Sequence, residues 1–172
     1  MTINPGPSQV NLRQMTLFDL DQVLEIEFES FPTAWPRDAF LYEIKHAQQN
    51  ICWIAEYAPE EESTIVVGYI VIWLIRGSAH IANLAVKSGY RKRGVGQHLL
   101  ACALLRCIDD HVNEVMLEVR ESNTTAQKLY QKLDFKIIKK QPDYYKDTHE
   151  DALVMILSAL NRKKLADLAN YG

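Results

Sequence analysis

Apolar residues recur along this chain with two different spacings, and the switches between them predict the order of its elements. Val10, Leu12 and Met15 read as a first strand. Thr16 offers an N-cap, with Asp19 three residues on. Leu17, Leu20, Val23, Leu24 and Phe28 then fall at helical spacing, predicting an amphipathic helix over Thr16–Glu29. Phe31, Pro32, Trp35 and Pro36 break it with a rigid aromatic loop, and Pro36 suits the first turn of a second helix over Arg37–His46, with Phe40, Leu41 and Ile44 on one face. Alternating and β-branched runs predict strands at Ile51–Tyr57, Thr64–Ile75 and Ala79–Val86, separated by an acidic turn over 59–63 and a Gly77-Ser78 turn. A helix follows over Gly96–Asp110, a strand over Glu114–Val119, a helix over Asn123–Leu133, and strands over Phe135–Lys140 and Asp151–Leu160.

The strand–helix–strand–helix stretch in the middle implies a parallel pair, and the hairpins on either side imply antiparallel neighbours. The predicted class is therefore mixed α/β: one mixed sheet with a parallel central pair and helices on both faces. A length of 172 residues suits a single core. Residues 1–9 read as a polar tail, 10–160 as the domain, and 161–172 as a C-terminal helix or tail.

Composition narrows the function by exclusion. Hydrophobic residues make up 48% and charged ones 24%, as in ordinary globular domains, and the net charge of −3 argues against general nucleic-acid binding. The longest apolar run, Ile65–Ile75, is about half of what a bilayer span needs. The N-terminus has no basic stretch followed by an apolar one, so the expected location is the cytoplasm, with no membrane partner. Cys52, Cys102 and Cys107 form no C-x-x-C pair, and the five histidines show no paired spacing. The reading is reduced thiols and no metal.

Chemistry concentrates in two stretches. In the first, the strand ending Leu84-Ala85-Val86 feeds Arg91-Lys92-Arg93-Gly94-Val95-Gly96-Gln97, which opens a helix. Helix N-termini present unpaired N–H groups and a positive dipole, and glycine lets an anion approach the backbone closely. That is a physical recipe for a diphosphate site. There is no G-x-x-x-x-G-K-[ST], and Leu99 stands where a dinucleotide loop needs its third glycine. The R-x-x-G-x-G pattern after an apolar strand resembles the coenzyme signature of the GNAT superfamily of N-acetyltransferases. That resemblance implies acetyl-CoA as co-substrate, with Leu84, Ala85 and Val86 along its pantetheine arm and the 91–97 loop, Arg91 and Arg93 included, at its diphosphate.

The second stretch is Leu117-Glu118-Val119-Arg120-Glu121-Ser122-Asn123, continuing through Ala126, Leu129, Tyr130, Leu133, Asp134 and Phe135. It resembles the L-E-V-R-x-S-N-x-x-A-x-x-L-Y-x-x-x-G-F run of ribosomal-protein-alanine N-acetyltransferases, the RimI type, within that superfamily. The resemblance spans about residues 10–160 and implies Glu118 as general base, Tyr130 as general acid to the departing thiolate, and Asn123 near the cofactor as well as capping its helix. It also implies that Phe31 and Trp35 on one loop, and Tyr144 and Tyr145 between the last two strands, flank the entrance for an acceptor peptide. Asp134 replaces the usual glycine; Asp tolerates a left-handed backbone better than most residues. The function implied is transfer of acetyl from acetyl-CoA to the N-terminal alanine of a small-subunit ribosomal protein, directly and without a metal; the sequence leaves the oligomeric state open, monomer or weak dimer. Another amine acceptor (protein lysine, polyamine, antibiotic or amino acid) or a non-catalytic coenzyme A sensor are the alternatives.

Overall fold

The computed structural model describes residues 9–58 and 63–170. The predicted 59–63 turn and the two ends of the chain thus lie largely outside the described residues. The strands are β1 (Val10–Gln14), β2 (Ile51–Tyr57), β3 (Ile65–Ile75), β4 (Ser78–Val86), β5 (Glu114–Arg120), β6 (Lys136–Tyr145) and β7 (Glu150–Leu157). The helices are α1 (Leu20–Ser30), α2 (Arg37–Lys45), α3 (Val95–Asp109), α4 (Thr124–Lys132) and α5 (Arg162–Ala169). One seven-stranded sheet runs β1-β2-β3-β4-β5-β7-β6, antiparallel except for β4 and β5.

Two apolar layers cover the sheet. On one face Leu20, Val23 and Ile26 of α1 and Phe40 of α2 pack with Ile54, Tyr69 and Val71. On the other, Leu99, Leu100, Ala103 and Leu104 of α3 and Leu165 of α5 pack on Val67, Ile70, Val115 and Leu117. The start of α1 departs from the periodicity. The Thr16 N–H and hydroxyl both donate to Asp19, at 2.7 and 2.8 Å, and Arg13 forks onto the same carboxylate. This closes a 3-10 turn over Leu17–Asp19, and the α-helix begins at Leu20. Leu17 and Phe28, counted in the apolar stripe, are 60% and 66% exposed, while Ile26 and Glu27 are buried. β6 also runs further than predicted, so Tyr144 and Tyr145 end a strand rather than lie in a loop.

One irregularity positions the site. The β3–β4 register runs Val71 opposite Asn83, then Ile72 opposite Ile81, leaving Ala82 as an extra residue. An extra residue reverses the in–out alternation of a strand beyond it. Ala79 and Ile81 therefore face α3, whereas Asn83 and Ala85 either join or adjoin the α1 side and Leu84 and Val86 return to the α3 side. The parallel pairing of β4 with β5 covers Ser78–His80 against Glu114–Met116, and the two strands diverge beyond it.

Candidate active site

The divergence of β4 and β5 opens a wedge. Leu84, Ala85 and Val86 pair with Ile70, Tyr69 and Gly68 of β3, so their other edge carries no ladder to β5. After β4 a 3-10 turn (Ser88–Tyr90) leads to Lys92, at φ 60°, and to Gly94, at φ 85°, which caps α3 without a side chain. A left-handed cap suits glycine. It leaves the Val95, Gly96 and Gln97 N–H groups without a side-chain cap, at the positive end of a 15-residue helix. Gly96 lies closely between strand and helix: a Cβ there would stand 3.4 Å from Val86 Cγ2 and 3.6 Å from Leu129 Cδ2.

The basic side chains of the loop divide. Arg91 is exposed but tied to the protein, donating from Nε to the Val86 carbonyl at 2.8 Å and from Nη2 to Ser30 at 2.9 Å, and the Gln97 amide donates to the Leu168 carbonyl at 3.0 Å. Arg93 lies over the Tyr90 ring at 5.6 Å, with a buried Nη1 that has no protein partner. Lys92 is exposed. Backbone N–H groups, Lys92 and Arg93 are grouped here beside Arg91, which already serves two protein acceptors.

Glu118, Asn123 and Tyr130 all line one cavity of ≈ 500 Å³. Asn123 Oδ1 accepts the Ala126 N–H at 3.1 Å, capping α4. Tyr130 is 7% exposed, and burial pushes its phenol well above the usual value, so the hydroxyl keeps its proton at neutral pH. Glu118 does not pair with Arg120. It receives a hydrogen bond of 2.6 Å from His80 Nε2, and this bond holds its carboxyl below the usual glutamate range despite partial burial. His80 stacks on Trp73 at 5.4 Å, and Trp73 on Trp35 at 6.3 Å. The imidazole is thus clamped, with Nε2 aimed at the carboxylate.

The mouth of the same cavity is bounded by the α1–α2 loop, with Phe31 and Trp35, and by the end of β6, with Tyr144 and Tyr145. Its floor is polar. Buried Glu27 (1% exposed) accepts the Trp35 N–H at 2.6 Å and the Asn83 amide at 3.1 Å, and bonds the Tyr69 hydroxyl. Among the described residues no group of three His, Cys, Asp or Glu side chains could hold a metal, and no helix is long and apolar enough to cross a membrane.

Residues 20–135 match the acetyltransferase (GNAT) family. The chain belongs to the GNAT family. It is accordingly an acetyl-CoA-dependent N-acetyltransferase. A Bacillus subtilis relative, provisionally named a [ribosomal protein bS18]-alanine N-acetyltransferase, is 36% identical over 84% of this chain and 92% of its own length. An N-alpha-acetyltransferase of Sulfolobus acidocaldarius is 35% identical over 84% of this chain and 89% of its own. Among solved structures, Arabidopsis thaliana Naa50 with the bisubstrate analogue CoA-Ac-MVNAL superposes with a TM-score of 0.75 at 27% identity, over 87% of this chain and 99% of that one.

For a GNAT enzyme the wedge has suitable equipment: an unladdered strand edge for an amide-bearing arm and uncapped N–H groups for a diphosphate. Two partners of the site had weak signals in the sequence. His80 stands 38 residues from Glu118, and alternation along β4 says only which face it takes. Glu27 falls seven residues after Leu20 and four after Val23, on the apolar stripe of α1. A carboxylate on that stripe was the available sign of a buried polar site.

Proposed function

We propose that this enzyme is an Nα-acetyltransferase that acetylates the N-terminal alanine of a small-subunit ribosomal protein, with Glu118 as base and Tyr130 as acid. The observation that carries the chemistry is that the His80-backed Glu118 carboxylate and the protonated Tyr130 phenol line the same cavity. The acceptor rests on the name of the Bacillus relative.

The acceptor's neutral α-amine attacks the thioester carbonyl, forming the C–N bond. Glu118 takes the proton that nitrogen sheds as it becomes positive. His80, held by Trp73, keeps the carboxylate ionised and oriented. The C–S bond breaks, and the Tyr130 hydroxyl supplies a proton or a strong hydrogen bond to the leaving sulfur. A peptide α-amine, with a pKa of roughly 8, is about one-tenth neutral at pH 7, whereas a lysine at about 10.4 is far less so. A weak carboxylate base therefore fits the α-amine better. Transfer is direct: burial pushes the Cys52 and Cys107 thiols up to about 12 and raises Cys102, and none of the three lines the cavity.

The archaeal relative supports a second reading, a broader Nα-acetyltransferase. Both are tested by acetyl-CoA turnover on three peptides, locating the label by mass spectrometry. One begins with free Ala in a ribosomal-protein sequence, one with free Ser in an unrelated sequence, and one has a blocked terminus and an internal Lys. Acetylation of the first alone supports the ribosomal assignment, and of the first two the broader one. Acetylation of the third alone removes the Nα reading.

A further inference from the structure

The two loops bounding the cavity mouth are joined to each other. Asp147, in the turn between β6 and β7, accepts a 2.7 Å hydrogen bond from the Thr33 hydroxyl in the α1–α2 loop, a contact across 114 residues of sequence. The same Oδ2 accepts from Arg120 Nη2 at 2.8 Å. Arg120 ends β5, two residues beyond Glu118 and on its face of the sheet. Its side chain is only 15% exposed. Its other nitrogen donates to Thr148 at 2.6 Å, and its guanidinium lies 3.9 Å over the Tyr145 ring. The α1–α2 loop has a second anchor at the floor, where Glu27 holds the Trp35 N–H.

We propose that Arg120 is a positioning residue for the acceptor and that Arg120, Asp147 and Thr33 form a latch making both loops one rim. Resting on the reading that this cavity takes the acceptor, the latch sets how well the acceptor is held and not how fast the acetyl group transfers. Arg120 fixes the Tyr145 ring by stacking, and its fork is split between Asp147 (Nη2) and Thr148 (Nη1), with Asp147 then holding Thr33. Lysine carries one point charge and cannot stack and fork together. The Asp147 carboxyl is lowered to about 2 by the Thr33 and Arg120 bonds, so it stays ionised across neutral pH and the latch does not open there.

The test uses the full chain with an N-terminal Ala peptide at saturating acetyl-CoA, and hydrogen exchange without peptide. Thr33→Val, at an exposed loop position, should raise the peptide KM by ~3 to 10-fold, the worth of one lost hydrogen bond. It should change kcat by less than about twofold and leave the acetyl-CoA KM alone, and Thr33→Ser should restore the wild-type value. Arg120→Lys should speed exchange in segment 144–149 and also in segment 31–36, to which Asp147 links Arg120. A wild-type peptide KM in Thr33→Val, or unaltered exchange in 31–36 for Arg120→Lys, overturns the latch. Should Arg120→Lys not fold, exchange in 144–149 of Thr33→Val answers the same question from the other side. If the wild type acetylates no peptide, the acceptor reading fails, while the exchange result still decides the latch.

Discussion

Replacing Glu118 with Gln separates proton acceptance from geometry. The Gln carbonyl can still accept from His80 Nε2, so the 2.6 Å contact and the packing behind it survive. Two routes for the base differ in cost. Stripping an α-ammonium (pKa roughly 8) with an ordinary glutamate (about 4.3) is uphill by at least ~3.5 pKa units, or about 5 kcal/mol. The His80 bond lowers Glu118 further, which enlarges that gap. Drawing instead on the roughly one-tenth of amine already neutral at about pH 7 costs only ~1.4 kcal/mol. The second route wins, so Glu118 acts as the C–N bond forms. The expected result is a fall in kcat/KM of ~10²–10⁴, with acetyl-CoA affinity within about twofold. Because the Glu118 pKa is lowered, its protonated form gathers only at pH below the ordinary carboxylate range. Wild-type kcat/KM should therefore rise with pH through the acceptor's own pKa and then level, with no limb from Glu118 between about pH 6 and 9. Steady-state assays of both proteins at about pH 7 and about pH 9 decide it, since the amine is mostly neutral at the higher value. A deficit that disappears at the higher pH refutes the argument, and more than about a third of wild-type activity at the lower one removes Glu118 as base.

Tyr130→Phe should lower kcat by ~10- to 100-fold with both KM values little changed, measured under saturation, since only the departing sulfur loses a donor. Gly96→Asp should weaken acetyl-CoA binding at least ~10-fold by calorimetry, because it sets a carboxylate among the α3 N–H groups. The melting temperature should hardly move, as the new Cβ meets its neighbours at 3.4 Å or more. Glu27→Ala should cost about 3 kcal/mol in denaturant unfolding, because it strands the Trp35 N–H and the Asn83 amide and leaves the buried Tyr69 hydroxyl only its 3.2 Å bond to Asn83.

Local features of this molecule follow from the sequence alone. The periods that predict α2, β2 and α3 name residues within one element, and the structure places those elements within about a residue of the expected ends. Asn123 caps α4, and Asp134 takes the left-handed conformation, at φ 70°, that a glycine would otherwise supply. The strand–loop–helix from Leu84 to Gln97 is likewise a local arrangement. The start of α1 resisted because Arg13 and Thr16 capture Asp19, which pulls Leu17 off the stripe that its spacing implied. His80 beside Glu118, the reversal of β4 at Ala82, and the Thr33–Asp147 bridge belong to the tertiary structure. Alternation tells which face a side chain takes, but not which strand lies beside it or by how many residues the two are offset. Those depend on the packing of the whole sheet, and here that packing decides which carboxylate acquires a histidine and which loops line the cavity.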